Sequence, residues 1–291
     1  MSMAFVLRPP SFSILNSQFS IYPQFIMKIL SRLIPIASAC ALIAFSSNAA
    51  DPASAVSAND IAAQLSSLQQ DGSSFVRLKL DVKKSGGAKI SMQLQIKQRR
   101  TKSSTEVVYQ VLWPKERAGE AVLLRKSGNQ SATGSLFIPP NTVRSLDSSQ
   151  MRSQLFGTDL SYEDVIENFF AWEHQTIVGT EVVDRVSCQI LESKPGKGQR
   201  SSYGSVRSWV DTRRLVPLRV EKYTASGKLA CRIDTASVAT DDMHRHIPSK
   251  LLVQKESVTE LDGSKIKHGV NFADREFTPE GLKEVTPPRS E

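Results

Sequence analysis

Four pieces of one stretch decide the fold: Gly119-Glu-Ala-Val-Leu-Leu-Arg125, Gly134-Ser-Leu-Phe-Ile-Pro-Pro140, Val143-Arg-Ser-Leu146 and Gly157-Thr-Asp-Leu-Ser-Tyr-Glu-Asp164. The first two are short apolar runs bounded by glycine or proline, and they read as strands. Pro139-Pro140 supplies no ladder donors, so the second strand ends or lies at an edge there. Ser161 then caps a helix predicted over 161–170. Glu163 and Asp164 sit in its first turn, where negative charge suits the helix dipole. Adjacent helical residues do not face each other, so these two acids read as capping residues rather than a hydrolytic pair.

Towards the N-terminus the apolar period is two. Val76, Leu78, Leu80 and Val82 alternate with Arg77, Lys79 and Asp81. Past Ser85-Gly86-Gly87, Ile90, Met92, Leu94 and Ile96 alternate with Ser91, Gln93, Gln95 and Lys97. The pair reads as a hairpin with one apolar and one solvated face. A short helix precedes it, capped by Ser57 or Asn59, with Ile61, Leu65 and Leu68 on one side and Asp71-Gly72 at its end. Further strands are predicted at 106–113, 120–126, 134–139, 182–192, 203–211, 215–223 and 228–235. A last hairpin, 250–258 with 265–272, is read around Asp262-Gly263. That gives about ten or eleven strands against two helices, without an internal repeat. A sheet with one apolar face must bury it. It either packs as a sandwich or curls around a cavity that two helices close in part, and periodicity does not choose.

The order of the opening stretch resembles the outer-membrane lipoprotein-sorting proteins, the LolA-like periplasmic carriers. That family runs a strand, a proline-containing strand end, a basic residue after it, and a Gly-x-Asp-hydrophobic-Ser-Tyr-Glu-Asp turn into a helix. Trp209-Val-Asp211, Pro217-Leu-Arg-Val-Glu221 and Gly227-Lys-Leu229 are similar to it as well. The resemblance covers nearly all of the chain after about residue 50. It implies a mainly β (α+β) fold, a half-open antiparallel β-barrel with helices as a lid (LolA/LolB-like), over an apolar concavity. It implies a lipid or acylated lipoprotein as cargo and no covalent chemistry. The implied partners are an inner-membrane exporter of RND or ABC type and an outer-membrane acceptor. The residues expected to wall the cavity are Leu78, Leu80, Met92, Leu94, Ile96, Tyr109, Val111, Leu136, Trp209, Leu218, Val220 and Leu251. Arg144 stands where the family places its basic residue. It reads either as a rim group bonding a lid carbonyl or headgroup, or as a solvent-facing charge. Tyr162 reads as a plug at the helix–sheet junction. An RseB-like envelope sensor is the alternative function, and the expectation is that the stretch after about residue 50 is too short to hold an additional domain comparable to that of such proteins.

The N-terminal region carries an address. Lys28 and Arg32, an apolar run from Leu33 to Phe45 and small residues at 47–50 form the pattern of a cleaved secretory signal peptide. The expected organisation is a dispensable segment 1–26, a signal peptide 27–49 beginning at Met27, a β domain 50–285 and a frayed tail 286–291. Periplasmic residence follows, with Cys40 discarded as part of the apolar run. Removing residues 1–49 takes the net charge from +8 to +5, 34 basic against 29 acidic side chains. So modest a surplus, spread along strands, argues against nucleic-acid binding. Cys188 and Cys231 each occupy an alternating apolar position. They read as a disulfide pair in an oxidising compartment or as two small buried hydrophobes. His174, His244, His246 and His268 form no set with metal-ligand spacing, and no nucleophile elbow or phosphate loop is present. The expectation is a monomer with no cofactor, no metal and no enzymatic activity.

Overall fold

The computed structural model describes residues 56–69 and 72–284. The segment 1–26, the signal peptide, Cys40 and the tail from 286 lie outside the described residues. Among the described residues there are thirteen strands: β1 Ser73–Lys83, β2 Lys89–Arg100, β3 Ser104–Trp113, β4 Ala121–Ser127, β5 Thr133–Ile138, β6 Thr142–Leu146, β7 His174–Val183, β8 Val186–Lys194, β9 Ser205–Asp211, β10 Val216–Tyr223, β11 Leu229–Thr240, β12 His246–Gln254 and β13 Val258–His268. They make one antiparallel sheet in the order β6-β5-β4-β3-β2-β1-β13-β12-β11-β10-β9-β8-β7. The two edges, β6 and β7, are consecutive in the chain but do not pair with each other, so the sheet stays unclosed.

The connection from one edge to the other, residues 147–173, fills the inner face. Met151, Leu155, Phe156, Tyr162 and Ile166 pack on Leu80, Met92, Leu94 and Val111. Leu160 packs on Cys231 and Val253, and Phe170 on Leu191 and Val210. This segment holds α2 (Tyr162–Ile166), whose Ser161 and Asp164 form a capping box. The helix predicted over 161–170 therefore breaks after Ile166, and a short 3-10 turn, Phe169–Ala171, follows. The first helix, α1, spans Ala58–Gln69. The Asp60 amide donates to Ser57 Oγ at 3.1 Å, and Ile61 and Leu65 bury against Leu191 and Val210. Both helices are thus part of the core, and neither stands off as a lid.

Three departures from the expected strands have local causes. β6 and β7 account for the difference between thirteen strands and the ten or eleven expected. The β7–β8 turn is made by Asp184 and Arg185, both left-handed (φ 47° and 67°), with no glycine to announce it. Asp262-Gly263 is not a turn. It lies inside β13 at a bulge opposite Arg77 and Lys79, where an added Cβ on Gly263 would stand 3.1 Å from Leu78 Cβ. The β12–β13 reversal falls at 255–257 instead.

The outer face of β2 to β5 is not solvated as the alternation suggested. The C-terminal residues cross it and bury Phe277 and Leu282 against Val108, Ala121, Leu123 and Phe137. Gln95 and Lys97 are buried beneath this strap. Lys97 Nζ pairs with Glu276 Oε2 at 2.7 Å, and the Arg99 guanidinium lies 4.1 Å from the Phe277 ring centroid. Full burial of a side chain the size of Phe277 is worth about 1.5–3 kcal/mol, which keeps the strap in place.

Candidate functional site

A cavity of about 470 Å³ remains on the inner face, between α1, the 3-10 turn at 169–171 and strands β1, β2, β10, β12 and β13. Its apolar wall comprises Leu65 and Leu68 from α1, Val76, Val165, Phe169, Phe170, Leu215, Pro217, Ile247, Pro248, Leu251 and Ile266. Gln98, Arg100, Asp164, Glu167, Arg245 and His268 add polar groups. The volume falls in the range of about 300–1,000 Å³ that small-molecule sites occupy.

Most of the charges are already answered within the chain. Asp164 Oδ1 accepts from Lys222 Nζ at 2.6 Å and from the Tyr203 hydroxyl at 2.8 Å, and Oδ2 accepts from the Ser161 amide at 2.8 Å. Burial pushes the Asp164 carboxyl up, but the Lys222 charge and these hydrogen bonds outweigh it and hold the group at about 2. For Lys222, burial pulls down and Asp164 pulls up, with a net rise. Glu167 accepts from Trp172 Nε1 at 2.9 Å and pairs with Lys126. Arg245 reaches Asp241 Oδ2 at 2.8 Å and His268 Nε2 at 3.0 Å. Asp241, Asp242 and His268 could between them offer three atoms to a metal. The Arg245 cation already sits among those atoms, and that donor set does not suit a second cation.

Arg100 differs. Its guanidinium makes no ion pair or hydrogen bond among the described residues, and its Nε is buried without a partner. Burial depresses it below the usual arginine range. The half-buried Tyr109, whose phenol desolvation pushes up to about 12, is close enough to feel its charge. The position follows from the strand: Met92, Leu94, Ile96, Gln98 and Arg100 share one face of β2, the apolar row ending in a cation. That row was the sequence signal for Arg100, and sequence reasoning missed it.

Of the residues expected to wall the cavity, Leu251 does so. Leu80, Met92, Leu94, Ile96 and Val111, with Leu78, Tyr109 and Leu136 against them, share the inner face but are packed under the 147–173 connection. Val220 packs against the cluster of Trp172, Tyr203 and Val206. Trp209 and Leu218 belong to the outer face, with Val183, Cys188 and Val216. A bulge between Pro217 and Arg219 turns Leu218 there, and Trp209 Nε1 donates to Glu181 Oε2 at 2.8 Å. Arg144 is exposed on the edge strand opposite Leu136, the solvent-facing reading. Tyr162 is buried where α2 meets the sheet.

The disulfide reading fails. Cys188 and Cys231 are both free and buried, and β9 and β10 lie between their strands. Cys188 sits in the outer-face cluster and Cys231 in the inner, so no small shift joins them. Burial raises both thiols, that of Cys231 to about 11. A thiol reagent should therefore find almost nothing to label in the folded protein and two thiols per domain after denaturation without reductant. Two thiols titrating only after reduction would mean the pair is bridged.

A family model described as "Uncharacterized protein"-like matches residues 104–284, and the chain belongs to that family. Among solved structures, a DUF1329 family protein from Desulfovibrio piger superposes with a TM-score of 0.72 at 20% identity, over 77% of this chain and 97% of the other. A domain from Vibrio parahaemolyticus assigned to outer membrane lipoprotein sorting gives 0.69 at 19% identity, over 78% and 98%. A LolA superfamily protein from Nitrosomonas europaea gives 0.62 at 21% identity, over 77% and 98%. The chain therefore has the LolA-like fold: mainly β, with a curved unclosed antiparallel sheet and few helices. No curated protein matches its sequence.

Proposed function

We propose that this protein is a periplasmic carrier that holds an acyl chain of a lipid or lipoprotein during transfer toward the outer membrane. The observation that carries the reading is the apolar cavity of about 470 Å³ left on the inner face of an otherwise filled sheet. The hollow is open to solvent, and its wall of Leu65, Val76, Phe170 and Leu251 offers apolar area that a guest can cover. At about 0.8 kcal/mol per buried methylene, roughly ten methylenes give about 8 kcal/mol, the scale of a micromolar complex. The Vibrio parahaemolyticus structure of the same fold, which is named for outer membrane lipoprotein sorting, supports the same reading. On it, the protein does no covalent chemistry, receives cargo from an inner-membrane exporter of RND or ABC type and delivers it to an outer-membrane acceptor.

The test is organic extraction of protein purified from bacterial cells, followed by mass spectrometry. An acyl lipid approaching one per protein is expected. An empty extract, together with no uptake of a fluorescent fatty-acid probe by the extracted protein, would sink the carrier reading.

A further inference from the structure

Resting on the carrier reading, we infer that the cargo is an amphiphile with an anionic headgroup, a carboxylate or a phosphate, bound by the guanidinium of Arg100. Its acyl chain runs along Val76, Leu251 and Phe170. The other charged groups of the cavity are engaged inside the chain: Asp164 with Lys222, Glu167 with Lys126, and Arg245 with Asp241. The Arg100 guanidinium alone among these meets no carboxylate and no hydrogen-bond acceptor among the described residues, and its Nε is buried. The Arg100 side chain is half-buried, and a partly desolvated cation is less stable without a counter-charge than with one. It becomes favourable when an anion completes it. The guanidinium fork matches carboxylate and phosphate oxygens in two parallel hydrogen bonds.

The surroundings favour an anion over a neutral group. Asp164 and Glu167 share the cavity wall, but the ammonium groups of Lys222 and Lys126 answer them. A headgroup at Arg100 therefore meets no unpaired carboxylate. A neutral end such as an alcohol or ester can accept a hydrogen bond from the guanidinium but leaves its charge unanswered, and a bond to a charged acceptor is the stronger of the two. The apolar wall then sets affinity, and Arg100 sets which end of the guest is held and what it must carry.

The experiment compares decanoate, decyl phosphate and decanol binding to the delipidated full-length mature protein by isothermal titration. At least one anion should bind about tenfold or more tightly than decanol, the scale of a charged hydrogen bond. Arg100→Gln should bring that anion down to the level of decanol and leave decanol unchanged, and Arg100→Lys should keep part of the preference. The empty Arg100→Gln protein should melt at the same temperature as wild type or higher, because the half-buried, unanswered charge is gone. A structural arginine would instead melt lower when replaced. Which anion binds tighter identifies a fatty-acid or a phospholipid-type source. Equal binding of all three compounds, or a preference that survives Arg100→Gln, overturns the anchor while leaving the carrier reading standing. Failure of every compound to bind overturns both.

Discussion

Lys222→Met should lower the unfolding free energy by about 3–5 kcal/mol, the usual cost of removing one partner of a buried ion pair. The side chains of Lys222 and Asp164 are 3% and 0% exposed, and their atoms meet at 2.6 Å. Methionine keeps the length of the stem and can still pack beside Phe169 and Tyr203, which the ammonium faces now. What is lost is the charge, and Asp164 is left buried with hydrogen bonds alone. The pH dependence has a definite sign. Asp164 is held at about 2 against an ordinary 3.8, so its contribution is present above about pH 4 and is lost as the pH falls through 2. Lys222 is raised, so its contribution is complete below 10.5 and is lost only above that. Urea denaturation of both proteins should therefore show a gap at pH 7 that narrows toward pH 2, where Asp164 is protonated in either. A gap that is absent at pH 7, or that widens in acid, would mean the pair does not hold the crossing segment to the sheet.

That pair also marks the boundary of what the sequence discloses. The capping role of Asp164 is a local matter, set by Ser161 three residues earlier, and it is legible from spacing alone. Its partner Lys222 is far along the chain on β10, facing inward at a position where alternation predicts an apolar residue. Nothing local announces that such a lysine has a counter-charge. The same division explains the strands. β1 and β2 declare themselves by period two and a Gly-Gly turn, whereas β7 ends in an Asp-Arg turn without the usual glycine. Gly263 carried the reverse error, because a glycine beside an aspartate signals a turn as readily as a bulge.

The candidate site failed to read out for a related reason. Alternation gives the face of a strand but not what covers it. Leu80, Met92, Leu94 and Val111 do share a face with the cavity. Whether they line a hollow or a core depends on where residues 147–173 run, and only the order of the edge strands, β6 and β7, fixes that path. Trp209 was misplaced by parity: Ser208 and Val210 face inward beside it, and Leu218 follows Trp209 outward through the bulge at Pro217. Arg100 and Leu251 reach the cavity because α1 and the connection leave that end of the inner face uncovered.

Leu251→Glu should abolish uptake of a fluorescent fatty-acid probe, at least about a hundredfold weaker binding, while shifting the melting temperature by only a few degrees. The side chain lies on the wall of an existing hollow and is only partly buried, so a carboxylate there can keep water when the cavity is empty. It would occupy the path of the acyl chain and set a negative charge against hydrocarbon, which costs several kcal/mol if the guest is forced in. Leu94→Glu is the counterpart. Leu94 is 1% exposed and packed with Met92, Val111 and Leu155, so the same carboxylate has neither water nor a partner. That substitution should unfold the domain under ordinary conditions, because several kcal/mol is a large part of the total stability of a domain. Gln93→Ala, on the exposed side of the same strand, should change neither melting nor uptake. The contrast decides between hollow and core. Unfolding by Leu251→Glu as complete as that by Leu94→Glu would make the hollow ordinary core. Uptake preserved in a folded Leu251→Glu protein would mean that the probe binds somewhere other than this cavity.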